Sequence, residues 1–309
     1  MRKKLIIEIG TNSIKTLFAE RDGSLWKKVS EDLYPTRIGA GKTQTGKLSS
    51  DGMERSLTAI EEIVSIHKDI GLCDIHVIAT ESLRSANNAD VFTNAVKERL
   101  GLQVEILSGS EEARFAFLAA VSEPIKPEVK IAVLDIGGGS TELTIGLRDE
   151  IIHQQSYPMG AVKLTEKYIH NDPPSKSEIK AVRTFIENQI KDIGTGVSLS
   201  ELIGVGGTIT ALALLSIPQE KAQDIQVDEA ISLIDRTQLS REQISDYIIK
   251  LSALTNQEKE MLPLMPKGRA DIILAGTVIL DRMMSHLNMQ KITVSTRGVR
   301  FGYLYSRSN

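Results

Sequence analysis

Val133-Leu-Asp-Ile-Gly-Gly-Gly-Ser-Thr-Glu-Leu-Thr-Ile-Gly146 reads as a buried strand ending in Asp135, a turn of three glycines and a second strand running back out. Glycines 137 to 139 leave backbone N–H groups uncovered and permit positive φ, which suits a loop wrapped around a phosphate. Asp135 and Glu142 flank that loop. Carboxylates beside a phosphate cradle repel the substrate unless a divalent cation lies between them, so the stretch reads as a magnesium–phosphate site. An ordinary glycine-rich hairpin is the competing reading, and this stretch alone does not separate the two.

The N-terminus carries the same pattern. Ile7-Glu-Ile-Gly-Thr-Asn-Ser13 lines up with Leu134-Asp-Ile-Gly-Gly-Gly-Ser140, so that Glu8 falls on Asp135, Gly10 on Gly137, Ser13 on Ser140 and Lys15 on Glu142. A hairpin of this kind occurring twice, near each domain start, predicts a duplicated domain with two phosphate loops facing each other. That signal is more specific than either loop alone.

With 309 residues and 41% hydrophobic content the chain buries a sizeable core, and two domains are expected, 1–123 and 124–309. A net charge of −3 gives nucleic acid no bulk attraction, although a local basic groove stays open. The single Cys73 excludes an internal disulfide framework, fits a reducing compartment and is expected to be a buried small hydrophobe. Met1-Arg-Lys-Lys looks like the start of a signal peptide, but Glu8 interrupts the apolar run after Leu5 to Ile7. The uncharged run Leu202 to Gln219 contains Gly204, Gly206, Gly207, Thr208, Thr210 and Pro218, which make it a strand, turn and helix buried in protein. The expectation is a cytoplasmic protein without export or membrane insertion.

Lys4 to Ile9, Ile14 to Glu20 and Ser24 to Ser30 read as three antiparallel strands. Residues 35–50 read as a mobile basic lid or rim; Gly41-Lys42-Thr43 imitates a nucleotide loop, but Thr36 stands where its first glycine belongs. Helices are expected at 51–70, 87–100 and 111–121, with strands at 74–80 and 103–107 between them, which implies parallel pairing. Ser122 to Glu128, with two prolines, reads as the interdomain hinge. Strands follow at 129–136, 141–147, 150–156 and 201–205, with helices at 161–169, 176–192 and from Thr208. Three or so amphipathic helices cover 220–262, then a long helix runs from Arg269 to His286, a strand from Lys291 to Ser295 and a helix from Val299 to Ser306.

Leu107-Ser-Gly-Ser-Glu-Glu-Ala-Arg114 places two acids in the first turn of a helix. Acids favour that turn because they complement the helix dipole. The strand before it also ends on the face where open α/β sheets bind ligands, and a carboxylate there accepts a proton from an attacking water. Thr80-Glu-Ser-Leu-Arg84 follows its strand in the same way, and Arg84 suits a transferring phosphoryl group. Gly204-Val-Gly-Gly-Thr208 is a third glycine turn whose helix N-terminus, at Gly206, Gly207 and Thr208, offers donors to an anion or a nucleotide. Lys267, Arg269, Arg297 and Arg300 either line a cleft or are simply solvated, and the five histidines show no metal-ligand spacing.

On these residues the chain resembles, along essentially its whole length, the exopolyphosphatase/guanosine pentaphosphate phosphohydrolase family of the actin-like ATPase superfold. The carriers are Ile9 to Ser13, Ala79 to Arg84, Ser108 to Arg114, Asp135 to Glu142, Gly204 to Thr208 and Ser295 to Arg300, in that order. The resemblance implies two duplicated ribonuclease-H-like α/β domains with a cleft between them. It further implies removal of the terminal phosphate from inorganic polyphosphate or from guanosine pentaphosphate, with magnesium, or manganese, as cofactor. By the family's pattern Glu112 is the catalytic base, Arg84 a phosphate-binding arginine, Asp135 and Glu142 the metal and phosphate acids, and Arg269 the arginine on the opposite domain. Two features depart from it. The first loop begins with Glu8 in place of Asp, moving the carboxylate by roughly 1.5 Å, and the chain ends at Asn309, as in the short form.

The expected mechanism is in-line attack of water on a terminal phosphorus in the interdomain cleft. Glu112 deprotonates the water, Asp135, Glu142 and Glu8 hold magnesium, and the N–H groups of Gly10, Thr11, Asn12, Ser13, Gly137, Gly138, Gly139 and Ser140 join Arg84 on the equatorial oxygens. The alternatives are a guanosine pentaphosphate phosphohydrolase with its base at the 204–208 turn, and a non-catalytic sensor of an anionic ligand. A sugar or acetate kinase is disfavoured because no sugar-specific acid is recognisable. A homodimer is the expectation for an enzyme of this size.

Overall fold

The computed structural model describes residues 2–23, 25–68, 73–122, 129–147, 150–193, 198–223 and 225–307. It divides into two compact units, one running through Phe115 and taking back the chain from Val299 onward, the other spanning Ala116–Gly298. The expected boundary at 123/124 and most of the expected hinge lie outside the described residues. The terminal helix Val299–Ser306, expected with the second half, packs on the first unit's sheet. Its close fit has a specific cause. A side chain at Gly302 would overlap the backbone of Phe115, while Tyr303 Oη donates to Glu105 at 2.7 Å and Arg300 Nη1 to the carbonyl of Thr16 at 2.8 Å.

The first unit is built on β1 (Lys3–Ile9), β2 (Ile14–Asp22), β3 (Leu25–Ser30), β4 (Leu33–Tyr34), β5 (Cys73–Ala79) and β6 (Val104–Ile106). Their order is β3-β2-β1-β5-β6, with β4 beside β2. The hairpin β1–β2 is antiparallel, and β1, β5 and β6 are parallel, joined through helices Ser50–Lys68 and Ala89–Leu100. Leu5, Ile7, Ile9, Ile14, Ile60, Ile63 and Phe92 fill the core beneath.

The second unit repeats the arrangement with β7 (Lys130–Ile136), β8 (Thr141–Leu147), β9 (Glu150–Tyr157), β10 (Glu201–Val205), β11 (Gln238–Ser240) and β12 (Lys291–Val294), ordered β11-β12-β10-β7-β8-β9. Here too an antiparallel hairpin, β7–β8, lies next to a parallel partner, β10. This is the duplicated ribonuclease-H-like pattern. Helix Ile273–His286, buried nearly all round, forms the centre of the core with Ile209, Leu212, Leu134 and Ile292.

Several elements differ from expectation. Residues 35–50 include the helical turn Lys42–Thr45, and Lys42 is buried, so the segment is not a free lid there. A short helix, Glu81–Arg84, and the three-residue strand β11 were too brief for periodicity to register. The long helix begins at Ile273, because Gly268 at φ 72° and the turn from Pro266 to Arg269 hold Arg269 outside it. Cys73 is half-buried, and burial raises its thiol pKa.

Candidate active site

In the first unit, the carboxyl ends of β1, β5 and β6 carry Gly10–Ser13, Thr80–Arg84 and Leu107–Glu112 side by side: Thr80 N–H donates to Ile9 at 3.2 Å and Leu107 N–H to Ala79 at 2.9 Å. That is the ligand-binding edge of a parallel sheet. The loop closes with Gly10 N–H on the Ser13 carbonyl at 3.0 Å. The carbonyls of Thr11 and Asn12 accept from Gly39 and Arg37 at 3.0 and 2.9 Å. In a trans peptide this turns the N–H groups of Asn12 and Ser13 to the opposite side, the orientation an anion requires.

The two acids of the helix Gly109–Val121 have different roles. Glu111 forms a capping box with Ser108, accepting from its N–H and hydroxyl at 2.8 Å each, and these bonds hold its carboxyl below the usual range. Glu112 points inward, 6% exposed, and accepts from Arg84 Nη1 at 2.9 Å. The same nitrogen donates to the Leu107 carbonyl at 2.7 Å. Capping therefore accounts for Glu111, while the carboxylate of Glu112 is committed to Arg84.

The second unit repeats the loop closely. Gly137 N–H meets the Ser140 carbonyl at 3.0 Å, the value found for Gly10 and Ser13. Helix Ala161–Tyr168 begins on the loop: Ala161 donates to Gly137 at 2.9 Å, and Val162 and Lys163 donate to Gly138 at 2.9 and 3.1 Å. The N–H groups of Gly138 and Gly139 consequently turn away from that helix. None of the three loop glycines has positive φ, contrary to expectation. Close approach favours glycine at two positions: a Cβ at Gly137 would stand 3.1 Å from the Ser140 carbonyl, and one at Gly160 would overlap the Gly138–Gly139 peptide.

Asp135 and Glu142 are directly paired across β7 and β8, which puts both carboxylates on one face, and Ser156 Oγ donates to Glu142 at 2.7 Å. Gly206, at φ 93°, presses its Cα against Asp135, and Gly207 lies under the guanidinium of the buried Arg269. Thr208 is buried against Gly276 of the long helix, so its side chain serves packing. Asp135, Gly137–Ser140, Gly206, Gly207 and Arg269 thus form one neighbourhood.

Among the described residues no group of three or more His, Cys, Asp or Glu is close enough to hold a metal. The pair Asp135 and Glu142 nonetheless fits magnesium, which takes one or two carboxylates and completes its shell with water and phosphate oxygens. The residue across from Glu8 is Lys15, 3.9 Å away, where a second acid faces Asp135, and Arg300 Nε lies 3.5 Å away, so two protein cations neighbour this carboxylate. Arg300, grouped in the sequence with the late basic residues, is buried and donates to the Thr16 carbonyl and Glu31. Sequence reasoning missed Lys42, Glu81, Ser156 and Gly160; the only signal for Lys42 was its bracketing by Gly41 and Gly46.

Comparison with known proteins gives this geometry a context. Exopolyphosphatase 2 of Mycobacterium tuberculosis is 27% identical, over 97% of each chain. A crystal structure of the Aquifex aeolicus Ppx/GppA family member shares 28% identity at a TM-score of 0.79, covering 99% of this chain and 97% of that one. An exopolyphosphatase structure from Cytophaga hutchinsonii, 23% identical, has the same fold at a TM-score of 0.90 over 99% and 98% of the two chains. The Ppx/GppA phosphatase family matches residues 16–309, nearly the whole chain apart from β1, the first glycine loop and the start of β2, and the chain belongs to that family.

Proposed function

We propose that the protein is an exopolyphosphatase, hydrolysing the terminal phosphate of inorganic polyphosphate with magnesium. The observation that carries the reading is the ion pair of buried Glu112 with half-buried Arg84, held at the sheet edge that also bears Gly10–Ser13. Glu112 takes a proton from water as the water oxygen bonds to the terminal phosphorus. The bridging P–O bond breaks, and its electrons leave with the shortened chain. Arg84 orients Glu112 through its Nη1 bond, and has further N–H donors for an equatorial oxygen. Amides of Gly10–Ser13 stabilise the equatorial oxygens, and in the second unit those of Gly137–Ser140 and Arg269 suit phosphate oxygens. Asp135 and Glu142 would hold magnesium, directly or through water, and the ion would offset charge on the phosphate oxygens.

At the 204–208 turn the Arg269 guanidinium lies against Gly207 and the Thr208 side chain packs on Gly276; an arginine at that turn suits a phosphate, which favours polyphosphate over guanosine pentaphosphate. No helix among the described residues is long and apolar enough to cross a membrane; with the sequence arguments above, we read a cytoplasmic enzyme, active as a homodimer. The test is phosphate release from polyphosphates and guanosine polyphosphates, with and without magnesium. Magnesium-dependent release, faster on polyphosphate, is the expected result. Faster release from pentaphosphate would reverse the substrate assignment, and binding without turnover would make the protein a sensor.

A further inference from the structure

The segment from Arg37 to Leu48 ties together parts of the first unit that the sequence keeps apart. At one end its amides hold the carbonyls of Thr11 and Asn12 in the first loop. At the other, Asn87 N–H donates to Gly46 at 2.9 Å, and Leu48 exchanges two bonds with the Asn88 side chain at 2.8 and 3.0 Å. Between them Gly41 and Gly46, at φ 73° and 70°, fold a single helical turn that pushes Lys42 inward.

Lys42 Nζ donates to Glu81 Oε2 at 2.8 Å and Ser85 Oγ at 2.6 Å, with the carbonyls of Glu81 and Ser82 at 3.2 and 3.3 Å. Both members of the pair are buried, at 9% and 7% exposure. Glu81 also accepts from Ser85 Oγ at 2.8 Å and from Thr11 Oγ1 at 3.4 Å. The helix that Lys42 grips, Glu81–Arg84, is the one that ends in Arg84. A buried ion pair stabilises a fold little better than an apolar pair of the same volume. What it adds is direction, because the acceptors around one ammonium are fixed in space.

We propose that Lys42 is a positioning residue for hydrolysis: its ammonium locks the first glycine loop and the Arg84 helix into one piece, so that loop amides and Arg84 meet the phosphate in a single geometry. This rests on the polyphosphatase reading. The test is the double variant Lys42→Met/Glu81→Met, which leaves no buried charge unpaired. It is expected to melt within about 4 °C of the parent, keep KM within about twofold and lose roughly 10- to 100-fold in kcat. A parental kcat in the double variant overturns the inference alone, whereas absence of phosphate release from the unaltered protein overturns the functional reading and this with it. Should the double variant fail to fold, Lys42→Ala is assayed with added ethylammonium or ethanol. Recovery of kcat with the cation only supports positioning; equal responses, or none, overturn it.

Discussion

Replacing Gly207 by alanine is expected to disable Arg269 without touching it. Gly207 is the first residue of the helix Gly207–Leu215 and lacks positive φ, so alanine suits the backbone. The added methyl falls on the guanidinium, with Nη1 at 2.8 Å and the other two atoms closer. Ordinary carbon contacts require about 3.5–4.0 Å, so the group retreats by roughly 1–2 Å. It is the far end of a flexible side chain, and the fold is expected to keep its melting temperature. A misplacement of about 1 Å in a positioning group costs up to about 100-fold, or about 2.7 kcal/mol. Steady-state phosphate release should therefore show Gly207→Ala and Arg269→Met with matching losses in kcat/KM, while thermal melting leaves Gly207→Ala near the parent. Parental kcat/KM in Gly207→Ala beside a crippled Arg269→Met would refute the reasoning.

Three further outcomes follow from the site. Glu142→Gln should raise the magnesium concentration for half-maximal activity by about 10-fold or more, because it removes one of two facing carboxylates. Glu8→Gln should leave that concentration unchanged within about twofold and cost roughly 1–3 kcal/mol of stability, since Arg300 keeps its bonds to Thr16 and Glu31 but loses a third partner; a magnesium titration with melting of both variants separates the two roles. Ser108→Ala should cost about 1 kcal/mol at pH 7. Bonds to Ser108 depress the Glu111 pKa, so their contribution is complete above the unfolded value near about 4.3 and fades as pH falls through the folded one; the melting difference should narrow at pH 3.

The duplicated hairpin was legible because it is local. An acid two residues before glycine and serine three after it dictate the same closure twice, and the alignment of Glu8 with Asp135 and Lys15 with Glu142 already contained the cross-strand pairs seen here. Alternation of strands and helices likewise foretold the parallel core of each sheet. What stayed hidden depends on long-range contact. Nothing near position 300 signals that its arginine reaches Glu8, Thr16 and Glu31. Lys42 looked like part of an exposed basic loop, because its acceptors lie about forty residues further along the chain. The loop glycines were legible as special, but not through positive φ, which none of the three has; the tight approaches are those of Gly137 to the Ser140 carbonyl and of Gly160 to the Gly138–Gly139 peptide. The long helix was placed four residues early because Arg269 to Asp271 continues a helical pattern that the turn at Gly268 interrupts.

The central claim is that Glu112 is the base, and Glu112→Gln tests it most directly, since the amide keeps the size and the bond to Arg84 but cannot take the proton. Phosphate release from polyphosphate should fall by about 100- to 10,000-fold, while the Kd for polyphosphate in magnesium stays within a few-fold of the parent. Parental turnover in that variant would contradict the account.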